Sequence, residues 1–163
     1  MNHAKNSSNR YLRPLKSSDQ MVLREVYEDA ICTSANALYS QEQIQAWSAL
    51  AYLPGVLDKP LQEGKGWASC VDSVIEAFAV KFPKDRLALL YCRGRSSRQG
   101  HATDLLNRID EEAQEDETNR LSTEASLFSY QLFLSHGWEI VSPEIIKIGG
   151  VAFGRYLMEK KFD

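Results

Sequence analysis

An apolar strand-like segment, an arginine-rich loop and a helix-like segment follow one another over residues 87–114. The loop carries Arg93, Arg95 and Arg98, and Gly100 stands where the helix begins. Free N–H groups at a helix start, aided by the helix dipole, bind phosphate oxygens, and arginines neutralise phosphate charge. This spacing therefore predicts an anion site, with an ordinary strand–helix connection bearing surface arginines as the alternative.

Signatures of several other chemistries are missing from the sequence. It contains no HExxH, GxSxG or GxGxxG pattern and no group of Cys and His at metal-ligand spacing. Residues 149–154 are similar to a phosphate-binding P-loop, but Arg155-Tyr156 follows where that motif requires Lys and Ser or Thr. We therefore expect neither a metal nor a P-loop nucleotide site.

The composition is that of one globular domain. The 163 residues hold 19 Lys and Arg against 22 Asp and Glu, a formal net charge of −3, which offers no general attraction to nucleic acid or to an anionic membrane. The longest apolar run, 87–92, has six residues, whereas a membrane-spanning helix needs about 20. We expect no nucleic-acid partner and no membrane partner.

Residues 1–9 are polar and lack the apolar core of a secretory signal. We therefore expect a disordered polar tail there, followed by a single domain over residues 10–163. Cys32, Cys70 and Cys92 form no CxxC pair and are interpreted as reduced thiols. Both features predict a cytoplasmic protein.

Hydrophobic periodicity predicts the order β-α-α-β-β-β-α-β-α-β-β, an α+β domain. Capping boxes are expected at Ser17 with Gln20 and at Ser40 with Gln43, each starting a helix, and 54–55 is expected to end the helical region. Strands are predicted at 11–15, 67–71, 74–82, 87–92 and 121–125, and the later helices at 100–114 and 126–135. The last two strands of this order are expected from strand-like segments at 138–141, 144–148 and 151–158.

Two hairpin turns are expected, at 72–73 and 149–150. Strict alternation along the strand 74–82 would place Ile75, Ala77 and Ala79 on one face. Both faces of this strand are apolar, which is typical of a central strand that is covered on both sides.

Gly100 and Ala102, followed by Leu105-Leu106, resemble the pyrophosphate loop of the GNAT acetyltransferases, whose pattern is Gln/Arg-x-x-Gly-x-Gly/Ala. Ser97 stands at the leading position, where it removes one polar anchor of that pattern. Residues 11–14, 39–47 and 132–138 resemble other parts of the family in their order and spacing. The likeness covers residues 10–161.

This resemblance implies a GNAT-like α+β fold in which helices flank a mixed, mostly antiparallel central sheet. Two parallel strands, 87–92 and 121–125, would splay apart to form the acetyl-CoA cleft. The chain would be an N-acetyltransferase with acetyl-CoA as co-substrate and no metal, and a primary amine would attack directly in a ternary complex. The acceptor would be a small-molecule amine or a protein amino group, and a homodimer is left open.

The resemblance also implies which residues contact the cofactor. The pantetheine would pair with backbone groups of the strand 87–92, as an added half-strand does, and the pyrophosphate would lie on amides at the helix start. An N–H near Tyr91 or Cys92 would stabilise the developing oxyanion. The cofactor-binding residues expected on this basis are Leu90, Tyr91, Cys92, Arg98, Gln99, Gly100, His101, Ala102, Thr103, Ser126 and Phe133.

Two proton-transfer roles remain. Many relatives place a tyrosine four residues before the late glycine, where it protonates the leaving thiolate, but here that residue is Phe133. Tyr130 lies one helical turn earlier and is the expected substitute, with a core tyrosine as the alternative. Glu76 is the first candidate for the general base, because a carboxylate within an apolar strand is costly unless it is paired or exposed at the sheet rim. Glu124 is the second.

In this family the acceptor is bound by the first two helices and the last hairpin. The residues expected to line that pocket are Tyr27, Tyr39, Trp47, Phe153 and Tyr156, with ordinary core packing as the alternative for each. Two other hypotheses stand beside the enzyme. One is a CoA-binding module without turnover, motivated by Ser97 and Phe133, and the other is an α+β domain with no nucleotide site.

Overall fold

Seven β-strands and five α-helices make up the part of the chain that the computed structural model describes, residues 8–35 and 37–163. The strands are β1 (Arg10–Pro14), β2 (Lys65–Val71), β3 (Val74–Lys81), β4 (Leu87–Cys92), β5 (Arg120–Ser126), β6 (Glu139–Ile148) and β7 (Val151–Lys161). The helices are α1 (Gln20–Ser34), α2 (Gln41–Ala49), α3 (Asp58–Glu63), α4 (His101–Glu115) and α5 (Tyr130–Ser135), and short 3-10 turns lie at Ser17–Asp19 and Gly94–Ser96. Among these residues no helix has the length and apolar character needed to cross a membrane.

The predicted polar tail, residues 1–9, falls outside the described residues over its first seven positions. Asn9, at its end, is held by the hairpin that joins β2 to β3. The backbone N–H of Asn9 donates to Asp72 Oδ1 at 2.8 Å, and the backbone N–H of Asp72 donates to Asn9 O at 2.8 Å.

Two antiparallel sheets, joined at one point, carry the helices. Strands β1, β2, β3 and β4 form the first sheet in that order, and the second has the order β5-β7-β6. Strands β4 and β5 run parallel and meet at a bridge between Arg86 and Ser122, where Thr123 Oγ1 donates to Leu87 O at 2.8 Å. Beyond this point the two strands belong to separate sheets, so a gap opens along β4. This architecture confirms the predicted fold class.

Each face of the first sheet has its own hydrophobic core. The face that packs on α1 and α2 buries Tyr27, Ile31, Ile44, Phe78 and Val80. The opposite face buries the apolar stripe of α4, which consists of Leu105, Leu106, Ile109 and Ala113. Strand β3 is therefore covered on both sides, as its apolar sequence predicts.

A β-bulge interrupts β3 at Glu76. Ile75 pairs with Cys70 and Ala77 pairs with Ser69, so Glu76 is an extra residue without a partner position on β2. The prediction that Ile75 shares a face with Ala77 and Ala79 is therefore wrong, because a bulge reverses the side to which the preceding residue points. Ile75 joins the α1–α2 core, whereas Ala77 and Ala79 face α4.

Some of the turns and helix caps predicted from the sequence are confirmed by the structure. Both hairpin turns are confirmed, with positive φ angles of 48° and 75° at Asp72-Ser73 and of 55° and 80° at Gly149-Gly150. The capping box of α2 is also confirmed, since Gln43 N–H donates to Ser40 Oγ at 3.1 Å and Ser40 N–H donates to Gln43 Oε1 at 2.9 Å.

The capping box expected at Ser17 is wrong. Asp19 takes its place, because its carboxylate accepts the Lys16 backbone N–H at 2.8 Å and a fork from Arg13, with Nη1 at 2.8 Å and Nη2 at 2.9 Å. The hydrogen bonds from the Arg13 guanidinium are charge-assisted, which makes Asp19 a strong acceptor at this position.

Three further element boundaries differ from the predictions. Helix α3 continues the helical region beyond 54–55, because Pro60 sits in its first turn, where a missing N–H costs nothing. Helix α5 begins at Tyr130 rather than at 126, because Ser129 N–H is taken by a turn onto Ser126 O at 3.1 Å. Strand β6 is continuous through Pro143, which an edge strand tolerates, with an irregularity at Val141.

The Arg13–Asp19 pair should make stability depend on pH. The adjoining guanidinium holds the pKa of the Asp19 carboxyl below its usual range, so the pair stabilises the fold above about pH 4 and loses that effect as the pH falls through the lowered pKa. We expect Asp19→Asn to lower the free energy of unfolding by about 2 kcal/mol at pH 7, measured by urea denaturation. The difference should shrink at pH 3, and Glu111→Gln at the exposed Arg108 pair should leave the urea midpoint unchanged.

Candidate functional site

The gap between β4 and β5 opens into a cleft of about 870 Å³. Its walls are formed by β4, by the first residues of α4, by α1 and α2, and by the ends of β5 and the β6–β7 hairpin. This volume lies in the range of cavities that enclose small-molecule ligands and cofactors. The cleft is therefore the candidate functional site.

One edge of β4 faces this cleft without a partner strand. The other edge pairs with β3 in a register that sets Cys92 opposite Ala77 and Leu90 opposite Ala79, and Arg93 N–H donates to Glu76 O at 2.8 Å. Backbone groups of an antiparallel ladder alternate in direction along the strand. Since the backbone groups of Arg93 point to β3, those of Cys92 and Leu90 point the other way, towards the cleft.

Helix α4 begins at the far end of that open edge. Gly100 precedes it with a φ of +88°, a conformation that favours glycine. A Cβ at this position would meet Arg10 Nη2 at 3.4 Å. Of the predicted loop residues, those that line the cleft are Arg98, Gly100, His101, Ala102 and Thr103, and Gln99 is not among them.

Arg10, on β1, holds the loop that precedes α4 in place. Its Nη1 donates to the Gln99 carbonyl at 2.6 Å, and its Nη2 binds Asp104 Oδ2 at 2.7 Å. Gln99 thus contributes to the loop through its backbone rather than at the cleft surface. The sequence analysis missed Arg10, because no local pattern links a residue of the first strand to a loop 89 positions later.

His101 anchors the first turn of α4 to the sheet. Its ring is buried, with Nδ1 at 2.7 Å from Ser69 Oγ. Burial, with a smaller effect of Arg10, lowers the pKa of His101, so the ring is neutral at pH 7. Its role at the helix start is therefore to hold position rather than to supply charge.

The three loop arginines divide into two groups. Glu76 is 7% exposed, and both of its oxygens bind Arg95, with Nε at 2.9 Å from Oε1 and Nη2 at 3.0 Å from Oε2. Arg93 Nε lies 3.3 Å from Glu76 Oε2 and donates to Ile75 O at 2.9 Å. Neither these two arginines nor Glu76 belongs to the described lining of the cleft, whereas Arg98 does. The positive charge that faces the cleft from this loop is that of Arg98.

The loop is also tied to α1. The Gly94 N–H donates to Asp29 Oδ2 at 2.8 Å, and a Cβ at Gly94 would overlap Thr33, with Oγ1 at 2.1 Å. Glycine at this position allows α1 to approach the loop closely. Asp29 and Thr33 carry no signal in the sequence, since each is an ordinary polar residue on a helix surface.

Solved structures of acetyltransferases share this architecture. The chain superposes on a GCN5-related N-acetyltransferase from Rhodopseudomonas palustris with a TM-score of 0.88 and 21% identity, covering 95% of this chain and 97% of that one. The chain has the GNAT fold. No protein-family profile matches the sequence, and a search of curated proteins finds no significant match.

Two other structures with the GNAT fold contain the coenzyme. A PaiA N-acetyltransferase from Thermoplasma acidophilum in complex with coenzyme A matches with a TM-score of 0.73 and 18% identity, over 94% of this chain and 99% of that one. The putative acetyltransferase YncA from Salmonella typhimurium, with acetyl-CoA, matches with a TM-score of 0.65 and 16% identity, over 96% of this chain and 95% of that one.

Three residues that were predicted to act in catalysis or cofactor binding lie on the β5 side of the cleft. Glu124, Ser126 and Phe133 line the cleft. Glu124 is paired with Arg86, whose Nε lies 2.9 Å from Oε2, and Ser126 Oγ lies 3.0 Å from Ser129 Oγ. The sequence analysis did not single out Arg86, which directly precedes the predicted strand 87–92, or Ser129, which lies within the predicted helix 126–135.

The predicted aromatic residues fall into two groups, one that lines the cleft and one that lies outside it. Tyr27, Tyr39, Trp47 and Phe153 line the cleft, together with Leu90, Tyr91 and Cys92 of β4. Tyr130 and Tyr156 lie outside that lining, where their ring centroids are 4.8 Å apart. The Tyr130 hydroxyl accepts a hydrogen bond from Gln131 Nε2 at 3.3 Å.

The ion pairs of Glu76 and Glu144 provide a matched test of what each carboxylate does. Glu76→Gln leaves the partly buried Arg93 without a carboxylate, so we expect it to lower the free energy of unfolding by about 2–3 kcal/mol. Glu144→Gln breaks the more exposed pair with Arg155 and should cost less than about 1 kcal/mol. Urea denaturation measures both, and equal losses would contradict a structural role for Glu76.

Proposed function

We propose that this protein transfers the acetyl group of acetyl-CoA to a primary amine by direct attack in a ternary complex. The observation that carries the proposal is one cleft that contains both the unpaired edge of β4 and the start of α4, which Gly100 precedes. One end of such a cleft suits a diphosphate, and the other suits an amide-bearing chain that ends in a thioester.

The residues at the start of α4 fit a pyrophosphate. Free N–H groups at a helix start bind anions, and the absence of a Cβ at Gly100 lets a ligand approach the backbone closely. Arg98 lines the cleft and supplies a guanidinium for the phosphate charge. Arg10 holds this loop in place through Gln99 O and Asp104.

The open edge of β4 fits the pantetheine arm. Amide groups of an extended ligand pair with a free strand edge as an added strand does, and the alternation of β4 offers Leu90 and Cys92 for this purpose. The GNAT-fold structures solved with coenzyme A and acetyl-CoA support the same ligand.

The reaction needs little covalent chemistry from the protein. Acetyl-CoA supplies an activated thioester when bound, and the amine nitrogen forms a bond to the carbonyl carbon as the carbon–sulfur bond breaks. A backbone N–H of Leu90 or Cys92 would stabilise the negative charge that develops on the carbonyl oxygen. Binding both reactants in one cleft replaces a collision in solution with a preset geometry.

The amine must lose a proton, and Glu124 is the group that we propose accepts it. Its carboxylate lines the cleft, although it shares its charge with Arg86. Glu76, the first candidate from the sequence, would have to leave Arg95 and Arg93 to accept a proton. We therefore place Glu124 ahead of Glu76 as the proposed general base.

The leaving thiolate must gain a proton, and Tyr130 remains the proposed donor. Phe133 lines the cleft without a hydroxyl, and this observation favours a second candidate function, a CoA-binding module without turnover. Tyr130 would have to turn away from Tyr156 to reach the cleft. Binding of CoA without release of free thiol from acetyl-CoA across a broad panel of amines would favour the second candidate.

Coenzyme A binding is tested by thermal unfolding. A ligand that binds the folded chain raises Tm as its concentration exceeds Kd, so we expect coenzyme A to stabilise the wild type. Gly100→Glu should abolish this shift, because it places a carboxylate where the phosphates would lie.

Gly150→Glu is the matched control for this experiment. Gly150 has a φ of +80°, close to the +88° of Gly100, and a Cβ there meets nothing within 4 Å. It carries the same backbone strain outside the phosphate end and should keep the shift. Equal responses of all three proteins would contradict the proposed pyrophosphate loop.

Tyr130→Phe tests the proposed thiolate acid. Loss of the phenol should lower kcat by about 10²-fold, while the shift in Tm with coenzyme A stays unchanged. Tyr156→Phe, on the other member of the packed pair, should keep kcat within about threefold. Thiol release from acetyl-CoA measures both, and wild-type kcat in Tyr130→Phe would assign the proton to another donor.

A further inference from the structure

The acceptor end of the cleft has walls that discriminate among amines. This end lies between α1, α2 and the β6–β7 hairpin, away from the start of α4. The residues that line it are Tyr27, Ile31, Tyr39, Trp47, Ile146 and Phe153. The inference drawn from them rests on the proposed acetyl transfer, since it concerns the second substrate of the same site.

The aromatic rings at this end pack edge-on against one another. Ring centroids of Tyr39 and Trp47 are 5.2 Å apart, and those of Trp47 and Phe153 are 6.3 Å apart. Trp47 also lies 6.5 Å from Tyr91 of β4. Trp47 therefore lies beside aromatic rings of both β7 and β4, and it is only half-buried.

The phenol groups of this wall are already used by the backbone. Tyr27 donates its hydroxyl hydrogen to Trp47 O at 2.9 Å, and Tyr39 accepts the Leu127 N–H at 2.9 Å. Burial raises the pKa of both phenols, so they remain uncharged at neutral pH. Tyr27 and Tyr39 are both buried, so their rings form the base of this wall and Trp47 is its more exposed aromatic residue.

The charged groups along the cleft leave no place for a second ammonium group. Among the described residues that line the cleft, Glu124 is the only carboxylate, and it is bound to Arg86. Arg155 also lines the cleft, and its charge is met by Glu144 at 2.9 Å. A buried ammonium without a carboxylate partner is strongly disfavoured, and a peptide would bring backbone amides that aromatic rings do not satisfy.

We propose that the acceptor is a monoamine with a flat apolar body, of the arylalkylamine class, and that Trp47 is the residue that selects it. The ring of the amine lies against Trp47 and Phe153, where aromatic surfaces pack favourably edge-on or offset. Its amino group then points along the cleft towards β4 and Glu124. Polyamines and peptide amino groups are expected to be poor acceptors, because the residues described at this end are apolar or aromatic and include no carboxylate.

The test compares three amines by thiol release from acetyl-CoA. The probes are 2-phenylethylamine, n-butylamine, which lacks the ring, and spermidine, which carries additional ammonium groups. We expect kcat/KM for 2-phenylethylamine to exceed that for n-butylamine by about tenfold and that for spermidine by about 10²-fold. Equal or faster turnover of spermidine, or of a short peptide through its amino terminus, would overturn the proposed acceptor class.

Two variants of Trp47 separate selection from folding. Trp47→Ala should lower the ratio of kcat/KM between 2-phenylethylamine and n-butylamine by about tenfold, whereas Trp47→Phe should keep it within about threefold. A purely structural role would lower both rates together and leave the ratio unchanged, which would overturn the assignment of Trp47.

The shift in Tm with coenzyme A distinguishes the two levels of the proposal. If wild type shows the shift but acetylates none of the three amines, the acceptor class is wrong while coenzyme binding stands. If coenzyme A produces no shift in the wild type, the proposed function itself fails. Trp47→Ala should retain the shift, because Trp47 lies away from the start of α4.

Discussion

Strands β4 and β5 run parallel but are held together only at one end, by the Arg86–Ser122 bridge and the Thr123 hydrogen bond to Leu87. If β4 and β5 stayed paired along their whole length, the backbone groups on their facing edges would be hydrogen-bonded to each other. Because pairing stops, β4 keeps one edge of unpaired backbone groups inside the molecule. The cleft is the space that this interrupted sheet leaves, and the rest of the structure surrounds it.

An unpaired strand edge on a protein surface invites association with other chains. In this molecule α1, α2 and the β6–β7 hairpin cover the edge from one side, and the start of α4 closes its end. The loop at that end is held from three directions, by Arg10 on β1, by Asp29 on α1 and by His101 against Ser69 on β2. The edge is thus covered by other parts of the same chain and lies inside the cleft.

Local signals in the sequence predicted the features that depend only on near neighbours. The capping box at Ser40 and both hairpin turns involve residues within three positions of each other, so their chemistry is visible in a short stretch. The residues predicted by backbone position, such as Leu90, Cys92 and Gly100, line the cleft because the path of the chain determines where amides point. Short-range patterns predicted the α+β class, whereas the GNAT-like arrangement of the sheet was implied by the resemblance over residues 10–161.

Features that depend on distant partners were not predictable in this way. The bulge at Glu76 exists only in the register of β3 against β2, and it decides which core Ile75 enters. Asp19, rather than the predicted Ser17 and Gln20, caps the start of the first helical segment, and its carboxylate is bound by Arg13 of β1. Tyr130 and Tyr156 pack against each other across α5 and β7, which lie far apart in the sequence.

The two hydrogen bonds of Arg10 connect residues 89 and 94 positions apart. Contacts of such long sequence separation form late, because a large loop of chain must close before they are made. The loop 97–104 therefore owes its position to the first strand of the chain as much as to its own sequence. A change at Arg10 would alter the proposed diphosphate end of the cleft without touching any residue of that loop.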